Sequence, residues 1–151
     1  MILCNPETDF AAKIKTYGQI RLTYQLMEDF CTAEDYTHCS ESFHLHKHFD
    51  AAILNTEATH FGCLEGLFWC YLPSGCIQDM AFLQVFKPST WWPLTNYAGC
   101  VVLDAADTMF VTPQYLVRGA LLVDTDLLQL KGDQVFLNGV VDYNMFWRMG
   151  N

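Results

Sequence analysis

The five histidines of this chain all fall within residues 38–60, at positions 38, 44, 46, 48 and 60. Cys39 and Asp50 lie inside this segment, and Cys63 follows it closely. Imidazole, thiolate and carboxylate groups are the ligands that zinc prefers in proteins. The segment therefore offers the ligand types for a zinc site. Its candidate ligands are His44, His46, His48, Asp50 and Cys63.

The spacing of these histidines is compatible with a site on either a strand or a helix. In a strand over 43–49, His44, His46 and His48 share one face and stand about 7 Å apart in successive pairs. In a helix, His44 and His48 share a face by the four-residue rule. The established zinc motifs do not match, because Leu45 and Lys47 stand where zinc-protease helices carry a glutamate and no Pro-Cys-x-x-Cys follows.

The competing interpretation is that the histidines form the solvent face of an amphipathic strand. We favour this interpretation over a metal site. We therefore expect no bound cofactor, and zinc is the alternative.

Two other sets of residues could carry chemistry, but neither forms a known motif. Cys63 could act as a nucleophile with His60 or His46 as its base, since such groups recur on unrelated folds by geometry. Six aspartates in the C-terminal half, at 104, 107, 124, 126, 133 and 142, could pair for acid–base work or bind a hard cation. They lack the spacing of a calcium loop, and solvation of turns and strand ends is their commoner role. We lean against an enzyme.

An aromatic loop is the second feature that could serve function. Trp91 and Trp92 are adjacent, bounded by Pro88 and Pro93, and followed by Tyr97. Two adjacent tryptophans cannot easily both point inward, and exposed aromatic loops are enriched at binding surfaces. The alternative is that one ring closes the end of the sheet while the other lies flat over it.

The composition excludes several partners. The 151 residues carry a net charge of -9 without any Lys/Arg cluster, which disfavours nucleic acid and anionic membranes.

Met1-Ile2-Leu3-Cys4 lacks the basic lead of a signal peptide, so we expect an intracellular, cytoplasmic protein. The seven cysteines include no Cys-x-x-Cys pair, and we expect them to be mostly buried free thiols.

The N-terminal region shows the spacing of helices. Asn5-Pro6-Glu7 is a strong helix start, and apolar residues recur behind it in steps of three and four, which predicts a helix over 6–31. Residues 32–42 are polar and irregular, as in a connection. A second helix is predicted between Asn55 and Pro73, although Gly62 and Gly66 weaken it.

From residue 80 onward, short apolar runs alternate with turn residues, which is typical of antiparallel sheets. The predicted strands cover 81–86, 100–103, 109–112, 119–124, 127–130, 134–137 and 140–147. Asn138-Gly139 is a strong hairpin signal, so the last three strands should form a meander. The predicted fold class is α+β. A single domain over 1–151 would pack an N-terminal helix on a curved, mainly antiparallel sheet that ends in this three-stranded meander.

These features favour a non-enzymatic binding or assembly module. It would be a small accessory protein that captures a protein partner or an apolar small molecule through an aromatic surface. The residues expected to bind are Trp91, Trp92, Tyr97 and Phe146. An apolar fraction of 52% against 17% charged residues also predicts a homo-oligomer, most simply a homodimer. The alternative function is a zinc-dependent hydrolase or a zinc-stabilised domain that uses the cluster at 38–60.

Overall fold

The computed structural model describes residues 14–26, 28–43, 45–56, 59–89, 100–124 and 134–138. These residues form eleven strands and one short 3-10 turn, Pro113–Tyr115. In chain order the strands are β1 (Ile14–Tyr17), β2 (Gln19–Gln25), β3 (Thr32–Phe43), β4 (His46–Phe49), β5 (Ala51–Asn55), β6 (Thr59–Tyr71), β7 (Ile77–Pro88), β8 (Cys100–Val111), β9 (Leu116–Ala120), β10 (Leu122–Asp124) and β11 (Gln134–Asn138).

The predicted N-terminal helix over 6–31 is wrong wherever the structure describes it, because β1 and β2 occupy that stretch. β1 pairs with β6 and β2 pairs with β3, both antiparallel. Ile20, Leu22 and Tyr24 are the more buried residues of β2 and recur every second position. Long-range strand pairing therefore overrides the apparent helical period. The described fold is almost entirely β, and the α+β class is wrong.

Within the described ranges, no helix has the length and apolar character needed to cross a bilayer.

The predicted second helix is also wrong, since its residues form the long strand β6. The register of β6 on β7 shifts between Leu64 and Gly66, so Glu65 is an extra, bulged residue. Leu64 and Leu67 consequently both enter the same core although they are three residues apart. Phe61, three residues before Leu64, is buried in a different core, so residues from both faces of β6 contributed to the helix-like spacing. Gly62 fits the strand, because a Cβ there would lie 3.1 Å from Leu83 Cδ2.

The larger sheet has eight strands, in the order β10-β11-β8-β7-β6-β5-β9, with β1 also paired to β6. The two ends of this order, β9 and β10, are consecutive in the chain and are separated only by Leu121. The backbone N–H of Asn138 donates to the carbonyl of Leu121 at 3.0 Å. The sheet therefore curls until its two ends meet at this residue.

Each face of the curled sheet carries its own hydrophobic core. One core includes the fully buried Leu64 and Leu83, and it is covered by Leu22 and Cys39 of the smaller sheet β2-β3-β4. The other core contains Ile53, Phe61, Phe86, Leu103 and Leu137. β5 is thus buried on both faces.

The strands predicted for the C-terminal half agree with the structure in part. Residues 81–86 lie within β7, and residues 134–137 lie within β11. Residues 100–103 and 109–112 are not two strands, because β8 runs from Cys100 to Val111 with a register shift opposite Val85. The stretch 119–124 is interrupted at Leu121. The strands predicted at 127–130 and 140–147, and with them most of the meander, lie outside the described residues.

A polar contact joins the smaller sheet to β9. Asp35 of β3 accepts a hydrogen bond from the backbone N–H of Gly119 at 3.0 Å, and its Oδ2 lies 3.7 Å from Arg118 Nε. The Tyr24 hydroxyl donates to the second carboxylate oxygen of Asp35 at 3.3 Å, and the Arg118 guanidinium lies 4.7 Å from the Tyr24 ring centroid. Arg118 is 6% exposed. This buried cation holds the two sheets together through Asp35.

Replacing Arg118 with methionine should destabilise the protein by about 2 kcal/mol, because Asp35 loses its cationic partner at a largely dry site. Arg21→Met is the matched control. Arg21 Nη1 lies 3.8 Å from Glu34 Oε1 in an exposed pair between β2 and β3, and its loss should cost less than about 0.5 kcal/mol. Urea unfolding followed by far-UV circular dichroism measures both changes. Equal losses from the two variants would show that Arg118 does not hold the sheets together.

Candidate metal centre

The antiparallel pair β3 and β4 sets the positions of two histidines and one aspartate. Ser40 pairs with His48, and the backbone N–H of Asp50 donates to the carbonyl of His38 at 2.9 Å. His38 and Asp50 therefore lie opposite each other. His48 precedes Asp50 by two residues, so strand alternation places it on the same face. Leu45, with a φ of 69°, forms part of the turn between the two strands.

The three side chains form one connected cluster. His38 Nδ1 lies 2.9 Å from Asp50 Oδ2, and His48 Nε2 lies 3.0 Å from Asp50 Oδ1. The backbone N–H of His38 also donates to Asp50 Oδ2 at 2.7 Å. The two imidazole rings stand nearly perpendicular, at 87°, with centroids 5.2 Å apart. Asp50 thus orients both rings.

This arrangement fits a small transition-metal ion. One ligand atom from each of the three residues lies within 4.8 Å of the other two. Four ligands placed tetrahedrally at about 2.1 Å from zinc are roughly 3.4 Å apart. The two nitrogen–oxygen distances, which involve different oxygens of Asp50, are close to that separation, and the three ligand atoms all lie within 4.8 Å of one another. The side chains of His38, His48 and Asp50 are 25%, 43% and 32% exposed, so an ion and one further ligand can reach them from solvent.

The structure brings together only some of the ligands predicted from the sequence. His48 and Asp50 belong to the cluster. His38 belongs to it as well, although it was placed only within the histidine-rich segment and not among the ligands. His44 and the side chain of His46 lie outside the described residues, and Cys63 is not part of the cluster.

Cys63 has a different environment. Its thiol donates a weak hydrogen bond to the carbonyl of Phe49 at 3.7 Å. Burial raises the pKa of the Cys63 thiol, and the charges of Glu65 and Asp50 raise it further. The raised pKa favours the neutral thiol over the thiolate that a zinc ligand or a nucleophile requires. His60, whose Nδ1 lies 2.8 Å from Thr56 Oγ1, is three residues away in the same strand and therefore on its opposite face.

The aromatic residues expected to bind a partner, Trp91, Trp92, Tyr97 and Phe146, lie outside the described residues. Of the six aspartates, Asp104 accepts a hydrogen bond from the Gln134 carboxamide at 2.6 Å. That bond fixes β8 to β11.

A cavity of about 530 Å³ opens beside the cluster, with Asp50 in its wall. Its lining mixes polar and apolar surface, and the apolar residues include Phe86, Leu122 and Val135. Gln84 and Gln134 add carboxamide groups. The volume lies in the range that small-molecule sites occupy, about 300–1,000 Å³.

No protein-family model matches this chain, and neither the search of curated proteins nor that of solved structures finds a significant match.

Cys39, next to His38 in β3, should be the least reactive of the described thiols. Burial raises the pKa of Cys39 to about 11 from an ordinary value of 9.0, and the neighbouring Cys63 adds to the effect. A rise of two pKa units lowers the thiolate fraction about 100-fold at pH 8. We expect iodoacetamide to modify Cys39 about 100-fold more slowly in native protein than in urea, as followed by peptide mass spectrometry. The exposed Cys76 should show little difference between the two states.

The same shift has a consequence for stability. The folded-state pKa lies above the unfolded one, so the contribution of Cys39 is fully present below pH 9.0 and is lost as the pH rises to about 11. Equal alkylation rates for native and unfolded Cys39 would contradict both statements.

Proposed function

We propose that this chain is a metal-binding β domain in which His38, His48 and Asp50 hold one zinc-type ion. The observation that supports this function best is the convergence of two imidazole nitrogens and a carboxylate within 4.8 Å. Two histidines and one carboxylate form the protein ligand set of several zinc sites, with a fourth position left to water or to another ligand. Here that fourth position faces solvent, where a partner could supply the ligand.

The position of the proposed ion favours a structural role over a role in hydrolysis. Asp50 connects the two sheets, because its N–H donates to His38 of β3 and its carbonyl accepts from the N–H of Leu64 in β6, at 2.9 and 2.8 Å. An ion held by β3, β4 and Asp50 would reinforce that junction. A zinc-dependent hydrolase would also need a general base beside the water at the fourth position. The carboxylate that contacts both imidazoles is already used as a ligand.

Zinc should bind the purified, untagged protein at one ion per chain and raise its melting temperature, because the ion binds the folded chain alone. His48→Ala should weaken binding at least 10- to 100-fold, the loss that even an outer-shell partner causes. Competition with a chromophoric chelator measures the affinity, and the spectrum of the Co²⁺ form reports a tetrahedral site.

His60→Ala is the matched control, since His60 bonds to Thr56 and not to the cluster. It should leave the zinc affinity unchanged. Stoichiometric zinc that both His38→Ala and His48→Ala leave unaffected would exclude this site, as would the absence of binding to wild type.

A second candidate function, capture of an apolar small molecule, is supported by the cavity of about 530 Å³ beside Asp50. Phe86, Leu122 and Val135 give it apolar walls. This cavity supplies an apolar-ligand site in the described part of the chain, in addition to the aromatic residues expected from the sequence.

A neutral hydrophobic dye such as N-phenyl-1-naphthylamine should therefore gain fluorescence with the protein. Ala105→Trp should reduce binding about tenfold, because the indole fills a cavity wall at an already exposed position. Thr108→Trp is the control, as this exposed residue of the same strand does not line the cavity. If both variants bind the dye like wild type, the dye binds elsewhere.

Homodimer formation and a cytoplasmic location are also part of the proposal. Phe110 is 59% exposed and its ring centroid lies 4.7 Å from that of Phe82, which gives an apolar surface for a second copy. Cys31 and Cys76 are exposed free thiols, which suits a reducing compartment.

A further inference from the structure

A second candidate site lies on the larger sheet, where β1, β6 and β7 run side by side. Lys15 pairs with Trp69, and Trp69 pairs with Asp79, so the three residues form one cross-strand row. Tyr17 is two residues after Lys15 and lies on the same face. The sheet thus places two aromatic rings, an ammonium and a carboxylate together. Tyr17, Trp69 and Asp79 are called the aromatic pocket below.

The two rings are arranged as adjoining walls. Their centroids lie 4.9 Å apart and their planes are inclined by 57°. The ammonium of Lys15 lies 5.2 Å from the Trp69 centroid and 5.6 Å from the Tyr17 centroid. Both distances are within the range of cation–π attraction, about 6 Å. The rings are therefore oriented so that one cation can contact both.

A cavity of about 210 Å³ lies against these rings. Ile20, Leu67 and Met80 provide apolar surface, and Asp79 lies at its wall. Lys15 is exposed and is not among the lining residues, so its ammonium leaves the cavity itself open. The Tyr17 hydroxyl is buried and has no hydrogen-bond partner among the described residues. A ligand with one polar atom would satisfy it.

The Lys15 ammonium, 5.2 Å from the Trp69 centroid, is a competing positive charge beside the rings, but the groups that line the pocket favour a cation over an anion. Burial raises the pKa of the Tyr17 hydroxyl, and the nearby charge of Asp79 raises it further, followed by Tyr71, so Tyr17 stays neutral. The faces of both rings are electron-rich, and the chain as a whole carries a charge of -9. A single carboxylate supplies too few oxygen atoms for a hard metal ion. An organic cation with an apolar surface would therefore contact the aromatic rings, the apolar side chains and the carboxylate favourably.

We propose that the aromatic pocket binds a methylated ammonium group, with the cation against Trp69 and Tyr17 and its charge balanced by Asp79. A methylated ammonium is attracted to the ring faces and costs less to desolvate than a primary ammonium, because its methyl groups bury apolar area. This site is independent of the metal cluster, which lies on β3 and β4.

Choline and its uncharged isostere 3,3-dimethylbutan-1-ol test the proposal directly, because they share a shape and a hydroxyl and differ in charge. Backbone 1H–15N shifts of residues 67–69 and 79–80 follow each titration. Choline should bind saturably, and the alcohol should bind at least about fivefold more weakly. Asp79→Asn, at an exposed position, should weaken choline binding about two- to fivefold and leave the alcohol unchanged.

Trp69→Leu should remove the preference for choline, since the side chain remains apolar but loses its π face. Phe110→Leu is the control, as an aromatic residue of the same sheet that does not line the pocket, and it should bind choline like wild type. If Trp69→Leu does not fold, Asp79→Asn decides. The proposal is overturned if choline does not bind, if the alcohol binds as tightly, or if Asp79→Asn leaves choline binding unchanged.

Discussion

The contact between Asp35 and Arg118 is the constraint on which the two-sheet arrangement depends. β3 sends Asp35, Thr37 and Cys39 toward the larger sheet, and two of these carry polar groups that would be costly to bury alone. Arg118 and the Gly119 N–H of β9 stabilise the carboxylate of Asp35. With Asp35 stabilised in this way, β3 can cover the core and present alternate residues, His38 among them, on its outer face.

The polar residues on the inner face of β3 explain why the sequence pattern predicted an irregular connection in place of this strand. A half-buried strand is recognised by apolar residues at every second position, but Asp35 and Thr37 occupy inward positions of β3. The segment therefore resembled an irregular connection. β7 and β11 were recognisable because their alternation is local and apolar. The assignment of β1, β2 and β6 depended on partners far away in sequence, and β6 buries apolar residues on both faces, which gave it the spacing of a helix.

The candidate metal site was predictable only in part, for a related reason. Local composition identified the histidine-rich segment, and both His48 and Asp50 were among the ligands predicted there. His38 could be identified only from the antiparallel pairing across the turn at Leu45, which brings it opposite Asp50. Motif spacing along one strand cannot show such a cross-strand contact. The aromatic pocket was likewise hidden, because Tyr17 and Trp69 come from strands that had been predicted as helices.

The two candidate sites lie in different parts of the fold, so ligand binding at each would affect the stability of different contacts. His38, His48 and Asp50 surround the junction where β3 and β4 meet the first residue of β5, so an ion there would add its binding free energy to the contact between the sheets. The aromatic pocket is built mainly from β1, β6 and β7, which belong to one continuous hydrogen-bonded sheet. The positions of its two rings depend on strand register, and the smaller sheet contributes only Gln19 and Ile20 of β2 to the lining. An ion bound at the proposed site would therefore strengthen the junction of the sheets, whereas the rings of Tyr17 and Trp69 are held within the larger sheet.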